Sequence, residues 1–316
     1  MAGDIFDIRK YVELRIAQEA HERFFKELEN LGVSTYAIIG NHDSTFFRSN
    51  EINSIQALYS SGRQTKGMMI VDTEPKEIEI DGTKILLLPW IASSHYADFM
   101  KVVDKSRASI LVSHLELSGY EMYRGNFMEH GMDEKLFQKF DMVLSGHYHH
   151  KSSRDNIHYL GTQYEITWAD YGDQKGFHIL DTDTRKLEFI HNPFKMFHKV
   201  YYDDLKYNTL DDLLNSIDTS SIAGGYVKLV VVNKTKPFWF DRVFDKLEKS
   251  DVVNLQIVDE SLNLYSEFEE TQGTVEDTLT ILDKYVDGLD IDIQKEPVVN
   301  LMKSLYEEAV RVVEQA

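Results

Sequence analysis

The sequence predicts an α/β fold whose sheet carries a polar site along one edge. Short apolar runs recur through the first half of the chain. Three of them stop at a polar cluster: residues 35–39 at Gly40-Asn41-His42-Asp43, residues 108–112 at Ser113-His114, and residues 141–144 just before Gly146-His147-Tyr148-His149-His150. Open α/β sheets place ligand sites beyond the carboxyl ends of their strands, so clusters at those positions can meet at one edge. A helical pattern also joins a further cluster, Gly3-Asp4-Ile5-Phe6-Asp7, to the first of these strands. Alternation of helix and buried strand is the crossover arrangement of α/β proteins.

The elements follow in order. Val12, Ile16, Ala20, Phe24 and Leu28 recur at helical spacing and predict an amphipathic helix over 8–31, closed by Gly32. Asp7 stands where it could cap that helix. Residues 67–88 read as strands around an Asp81-Gly82 hairpin turn and end at Pro89-Trp90. Residues 156–160 and 175–190 read as strands, with Asp181-Thr182-Asp183-Thr184 as a turn. Beyond about 196 the pattern becomes a small α/β unit. It has a β-branched strand over 226–232, a helix over 240–247 with Phe240, Val243, Phe244 and Leu247 on one face, and a strand over 252–258. An acidic stretch at 259–274 reads as a linker, and two amphipathic helices fill 275–316.

Composition limits the chemistry. The chain has 316 residues, no cysteine and a net charge of -19. Without cysteine there are no disulfides and no thiolate ligands, so a metal must use His, Asp, Glu or Asn. The charge argues against broad binding to nucleic acid or anionic membranes. It is unevenly spread, however: from Asp259 onward fifteen acidic residues face four basic ones. The sequence shows no signal-peptide pattern and no apolar run of membrane-spanning length, which points to the cytoplasm.

Singly, each polar cluster has an ordinary explanation: a turn at Asn41-His42-Asp43, a buried and satisfied histidine at His114, helix caps at Asp4 and Asp7. Together, in this order and with three of them directly after a strand, they point to a metal site. In extended backbone, residues two apart point the same way, so His147 and His149 would converge on one point.

At these residues the chain resembles the calcineurin-like metallophosphoesterases. Gly3-Asp4-Ile5-Phe6-Asp7, Gly40-Asn41-His42-Asp43, Ser113-His114 and Gly146-His147-Tyr148-His149 look like successive motifs of that family. Tyr159-Leu160-Gly161-Thr162 followed by Lys175-Gly176-Phe177-His178-Ile179 makes it similar to the SbcD-type recombination and repair nucleases, especially the exonuclease subunits of tailed phages.

The resemblance implies a metallophosphoesterase β-sandwich flanked by helices over 1–195, a small α/β capping domain over DNA at 196–258, and partner-binding helices at the C-terminus. It implies two divalent ions, manganese first, with magnesium or iron as alternatives. Asp4 would bridge them, Asn41, His114 and His147 would complete one site, and His149 would bind the other. His42 would stabilise the phosphate and protonate the leaving oxygen, with Asp7 orienting its ring. Tyr148 and His150 would lie behind the ligands or at the substrate rim. Lys228, Lys234, Lys236 and Arg242 would be available to a DNA backbone. The implied partners are DNA, a coiled-coil SbcC-type ATPase and a second copy of the chain, and no membrane.

One departure stands out. The family's Asp-x-His motif, which supplies two ligands to the metal bound by His149, would lie upstream of Gly3. The expectation is therefore an N-terminally truncated or misannotated start, a split gene, or a subunit that has lost catalysis. The first two are favoured, because His42 and Asp7 stand beside the ligands. A silent DNA-end-binding or ATPase-regulating subunit, and a phosphoesterase acting on another ester, stay open at this point.

Overall fold

The computed structural model describes residues 1–9, 11–46, 48–59, 67–71 and 73–259. Apart from Asp259, the expected linker and the C-terminal helices lie outside the described residues.

A six-stranded mixed sheet forms the centre. Its order is Ser152–Arg154, Ile157–Tyr159, Met142–Ser145, Ile110–Ser113, Thr83–Leu88, Lys76–Ile80. The four inner strands run parallel, and the two edges are antiparallel hairpin partners. Successive side chains in a strand point to opposite faces, and both faces of the inner strands are apolar. Leu86, Leu88, Leu111 and Val143 pack on one side with Phe99 and Val103 of the helix Tyr96–Lys105. Ile85, Leu87, Ile110, Met142 and Leu144 pack on the other with Ile38 and Val71. Continuous apolar strands of this kind belong in a covered, parallel sheet.

The second layer on that side contains the parallel pair Thr35–Ile38 and Met68–Val71, with Ala2 bridging to Ile38. Leu180 and Leu187, from the hairpin Gly176–Leu180 and Leu187–His191, pack against the same core. The Asp81-Gly82 turn forms as expected, with φ of 48° and 78°, the doubly positive pair that a two-residue hairpin loop requires.

The first helix departs from its sequence pattern. It begins at Leu14 rather than Ile8, and residues His21–Phe25 form a π-helical turn. Ala17 and Phe25 face inward, Val12 and Ala20 pack beside them, and Ile16 and Phe24 are about half exposed. Gly32 closes the helix with φ 67°.

A second sheet, in the order Phe197–Asp203, Tyr226–Asn233, Asn254–Asp259, carries its own core. Tyr202, Val227, Leu229 and Val231 meet Leu213 of Leu210–Ser216 and Phe240, Val243 and Leu247 of Pro237–Glu248. The basic residues expected to face DNA are engaged within the chain. Lys228 lies over Trp168, Lys234 over Phe240 and Lys236 over Trp239, while Arg242 approaches Asp245. No helix among the described residues is long and apolar enough to cross a membrane.

Candidate metal centre

Three of the polar clusters meet at the carboxyl edge of the central sheet, as strand ends in an α/β fold allow. His114 follows the strand Ile110–Ser113 and His147 follows Met142–Ser145, two strands that lie side by side. Asn41 follows Thr35–Ile38 in the second layer. Asp4 enters on the loop that begins at Ala2 and reaches the cluster with φ 51°. Close approach of these loops needs glycine. A Cβ on Gly40 would overlap the Asp4 side chain, and one on Gly146 would overlap the Ala2 carbonyl oxygen.

His114 is 1 % exposed, and its Nδ1–H donates to the Ala2 carbonyl at 2.7 Å. That bond fixes Nδ1 as a donor and turns Nε2 toward three other polar atoms. Asn41 Oδ1 is 2.9 Å away, Asp4 Oδ2 3.1 Å and His147 Nδ1 3.3 Å. His147 Nδ1 is also 3.0 Å from Asn41 Oδ1, while its Nε2 faces Glu116 at 3.6 Å. Four such atoms crowded together repel one another unless positive charge lies among them, whether a proton on His114 or a cation.

The electrostatics reflect this. Burial would raise the Asp4 carboxyl, but His114 and the His42 backbone N–H bring it down to about 2. Burial would lower the His114 imidazole, yet Asp4 beside it raises it. His147 is pushed down, chiefly by burial, which keeps it neutral. Trp90 walls the cluster, its ring 5.4 Å from that of His147.

His147 has φ 83°, so the backbone turns there instead of staying extended. His147 and His149 consequently do not converge. Both line a cavity of about 500 Å³ together with Asp4, Asp7, His42 and His114. Among the described residues, however, the group of close His and carboxylate ligand atoms is Asp4, His114 and His147. His149 pairs instead with Asp170 at 3.3 Å.

The Asp170 carboxylate also accepts from the backbone N–H of Ile166 and Thr167 and from Lys175. Burial would raise it, but the bonds from His149 and Lys175 hold it well below the usual carboxylate range. Lys175, 3 % exposed, also meets Asp173. Asp173 and Glu121 bracket the two nitrogens of His150.

His42 Nδ1–H donates to the main-chain carbonyl of Asp7 at 2.5 Å. The Asp7 carboxylate, expected to orient that ring, is 3.9 Å away and 75 % exposed, so the backbone does the orienting. Tyr148 stands behind the site: its ring lies 5.0 Å from that of His147 and stacks on Tyr159, and its hydroxyl donates to the Leu117 carbonyl.

Asp43 was not singled out from sequence, yet it ties two of the loops together. Fully buried, it accepts from Ile5, Phe6 and Gly40 backbone N–H groups. Burial lifts its carboxyl to about 6 against those bonds. The only sequence signal for it was its place directly after Asn41-His42. Asp170 carried no local signal, and Lys175 entered only as the first residue of the Lys175-Gly176-Phe177-His178-Ile179 run.

The fold and this acceptor cluster define a phosphoesterase of the metal-binding kind. Residues 1–151 match the calcineurin-like phosphoesterase family, and this part of the chain is a calcineurin-like metallophosphoesterase domain. Along 311 residues the chain is 27 % identical to exonuclease subunit 1 of Enterobacteria phage T4, covering 98 % of this chain and 86 % of that protein. It is 22 % identical over 220 residues to the SbcD component of the nuclease SbcCD of Staphylococcus epidermidis, 59 % of this chain and 56 % of that protein. A shorter match, 30 % over 94 residues, is to the SbcD component from Staphylococcus saprophyticus and covers 25 % of it.

The family implies divalent metal, and the donor set fits one. Ligands about 2.1 Å from a cation stand roughly 3.0–3.4 Å from one another, which is the spacing around His114 Nε2. Imidazole, carboxylate and amide oxygen suit manganese, iron, zinc or magnesium.

Proposed function

We propose that this chain is the nuclease subunit of a DNA-processing complex and hydrolyses DNA phosphodiester bonds with divalent metal. The observation that carries this is the convergence of Asp4, Asn41, His114 and His147 on one point at the wall of an open cavity. Likeness to an exonuclease subunit along nearly the whole chain supports the nuclease reading.

In this reading Asp4, Asn41, His114 and His147 hold one ion, and His149, with Asp4, serves a second. Bound divalent ions would withdraw charge from a phosphate oxygen and neutralise what develops on it during displacement. The remaining work belongs to the chain. The Ala2 carbonyl fixes the His114 tautomer, and Glu116 turns the Nδ1 of His147 inward. His42, held by the Asp7 carbonyl, keeps its Nε2 free to hand a proton to the leaving oxygen, a role worth typically 10²–10⁴-fold in rate. The partners are DNA, a coiled-coil ATPase of the SbcC type and a second copy of the chain.

The test is manganese-dependent cleavage of end-labelled duplex DNA by the chain in complex with its ATPase, alongside His42→Ala. Cleavage should fall by at least about 100-fold while manganese binding is retained. If the wild-type complex binds DNA ends without cleaving and His42→Ala behaves identically, the chain is a binding subunit and the nuclease reading is wrong.

A further inference from the structure

The segment 165–175 touches the metal-binding loop and the second sheet at once. Toward the site, Asp170 accepts from His149 Nδ1–H, and its other oxygen is pinned by the buried Lys175, whose ammonium also donates to the His149 carbonyl. Toward the second sheet there are three contacts. Glu165, 3 % exposed, accepts from the backbone N–H of Met196 and Phe197, where that sheet begins, and from Gly172. Trp168 packs on Phe197, with ring centroids 4.7 Å apart, and lies under the Lys228 ammonium at 4.3 Å. Tyr171 lies under Lys199 at 5.0 Å. Asp170 thus stands between two side chains clasped by the second sheet.

We propose that this segment is a coupler: Asp170 is a positioning residue for His149, and the seating of the second sheet sets where Asp170 stands. The inference rests on the reading of His149 as a metal ligand. A histidine ligand is useful only when one nitrogen carries the proton and the other is aimed at the ion, and an acceptor behind the ring decides which. Asp170 supplies that acceptor. Its remaining lone pairs are committed to Ile166, Thr167 and Lys175, so it cannot turn without breaking those bonds. Movement of Trp168 or Tyr171 on the second sheet therefore shifts the His149 ring. A substrate that loads the second sheet would be felt at the ligand.

The test uses the full chain and two variants. In metal-free protein, nitrogen-15 NMR of the His149 ring should show Nδ1 protonated and Nε2 bare. Asp170→Asn must present an amide to Lys175 or to His149. It should disturb that tautomer and weaken manganese binding by about 10–100-fold, the range for outer-shell partners. Trp168→Ala removes no atom that touches His149, yet it should move the His149 signals and weaken manganese binding in the same direction, with the His147 signals unmoved. Should Asp170→Asn fail to fold, Trp168→Ala decides alone. Unchanged His149 signals and unchanged manganese binding in a folded Trp168→Ala protein would overturn the coupling. Failure of the wild-type complex to cleave DNA would instead count against the nuclease reading, because the ring tautomer is read without metal or DNA.

Discussion

Two polar clusters share the loop at 146–150, and they are built on opposite rules. Around His147, two imidazole nitrogens, an amide oxygen and a carboxylate oxygen crowd about one point, all of them atoms that can ligate a metal. Around His149 and His150, every carboxylate faces a donor. Lys175 lies between Asp170 and Asp173, and the two imidazoles meet Asp170, Asp173 and Glu121. The second arrangement balances its own charges and holds the His149 ring by Nδ1, so it works as scaffold behind that ring. The first gathers imidazole, amide and carboxylate atoms about one point, and that donor set marks it as the candidate site.

The largest effect should come from breaking the scaffold. Lys175→Met would leave Asp170 and Asp173 buried without their cation. Removing one partner of a buried ion pair costs about 3–5 kcal/mol. Urea denaturation should show that loss with or without added metal. A loss under about 1 kcal/mol would mean that this network is no more than a surface pair, and the contrast with the first cluster would collapse.

The site should respond in the opposite sense. Manganese at about 100 times its dissociation constant should stabilise the wild-type chain by about 2.7 kcal/mol, and a chelator should remove the gain. His114→Ala should show no such gain, since it deletes the nitrogen at the centre of the cluster. An equal metal-induced rise in melting temperature in that variant would place the ion elsewhere.

Much of the frame could be read before the structure. Apolar runs such as Thr83–Leu88 are buried on both faces, and Asp81-Gly82 supplies the φ values that a tight hairpin needs. Strand-end placement alone brings Asn41, His114 and His147 to one edge. What failed was local geometry that depends on distant partners. Positive φ at His147 cannot be seen in a Gly-His-Tyr-His string, and it sends His149 to Asp170, twenty-one residues further on. Lys175 read only as the start of a strand, because its partners are fixed by tertiary packing. The Asp7 carboxylate was given a task that its own carbonyl performs. A π-helical turn at His21–Phe25 interrupts the first helix, and Phe25 rather than Phe24 enters the core, which no 3.6-residue periodicity predicts.

The smallest effect is the sharpest on the comparison. Tyr148 sits between His147 and His149, so position alone would assign it to the site. Its hydroxyl donates to the Leu117 carbonyl at 2.7 Å, and its ring stacks on Tyr159 with centroids 4.4 Å apart, inside the core beneath the sheet. Tyr148→Phe keeps the ring and removes one buried hydrogen bond, worth about 1 kcal/mol. Chemical denaturation should detect that loss, while the manganese affinity stays at the wild-type value. If affinity fell by tenfold or more (about 1.4 kcal/mol), core packing beneath the loop would be setting the ligand geometry, and the two clusters could not be treated as separate devices.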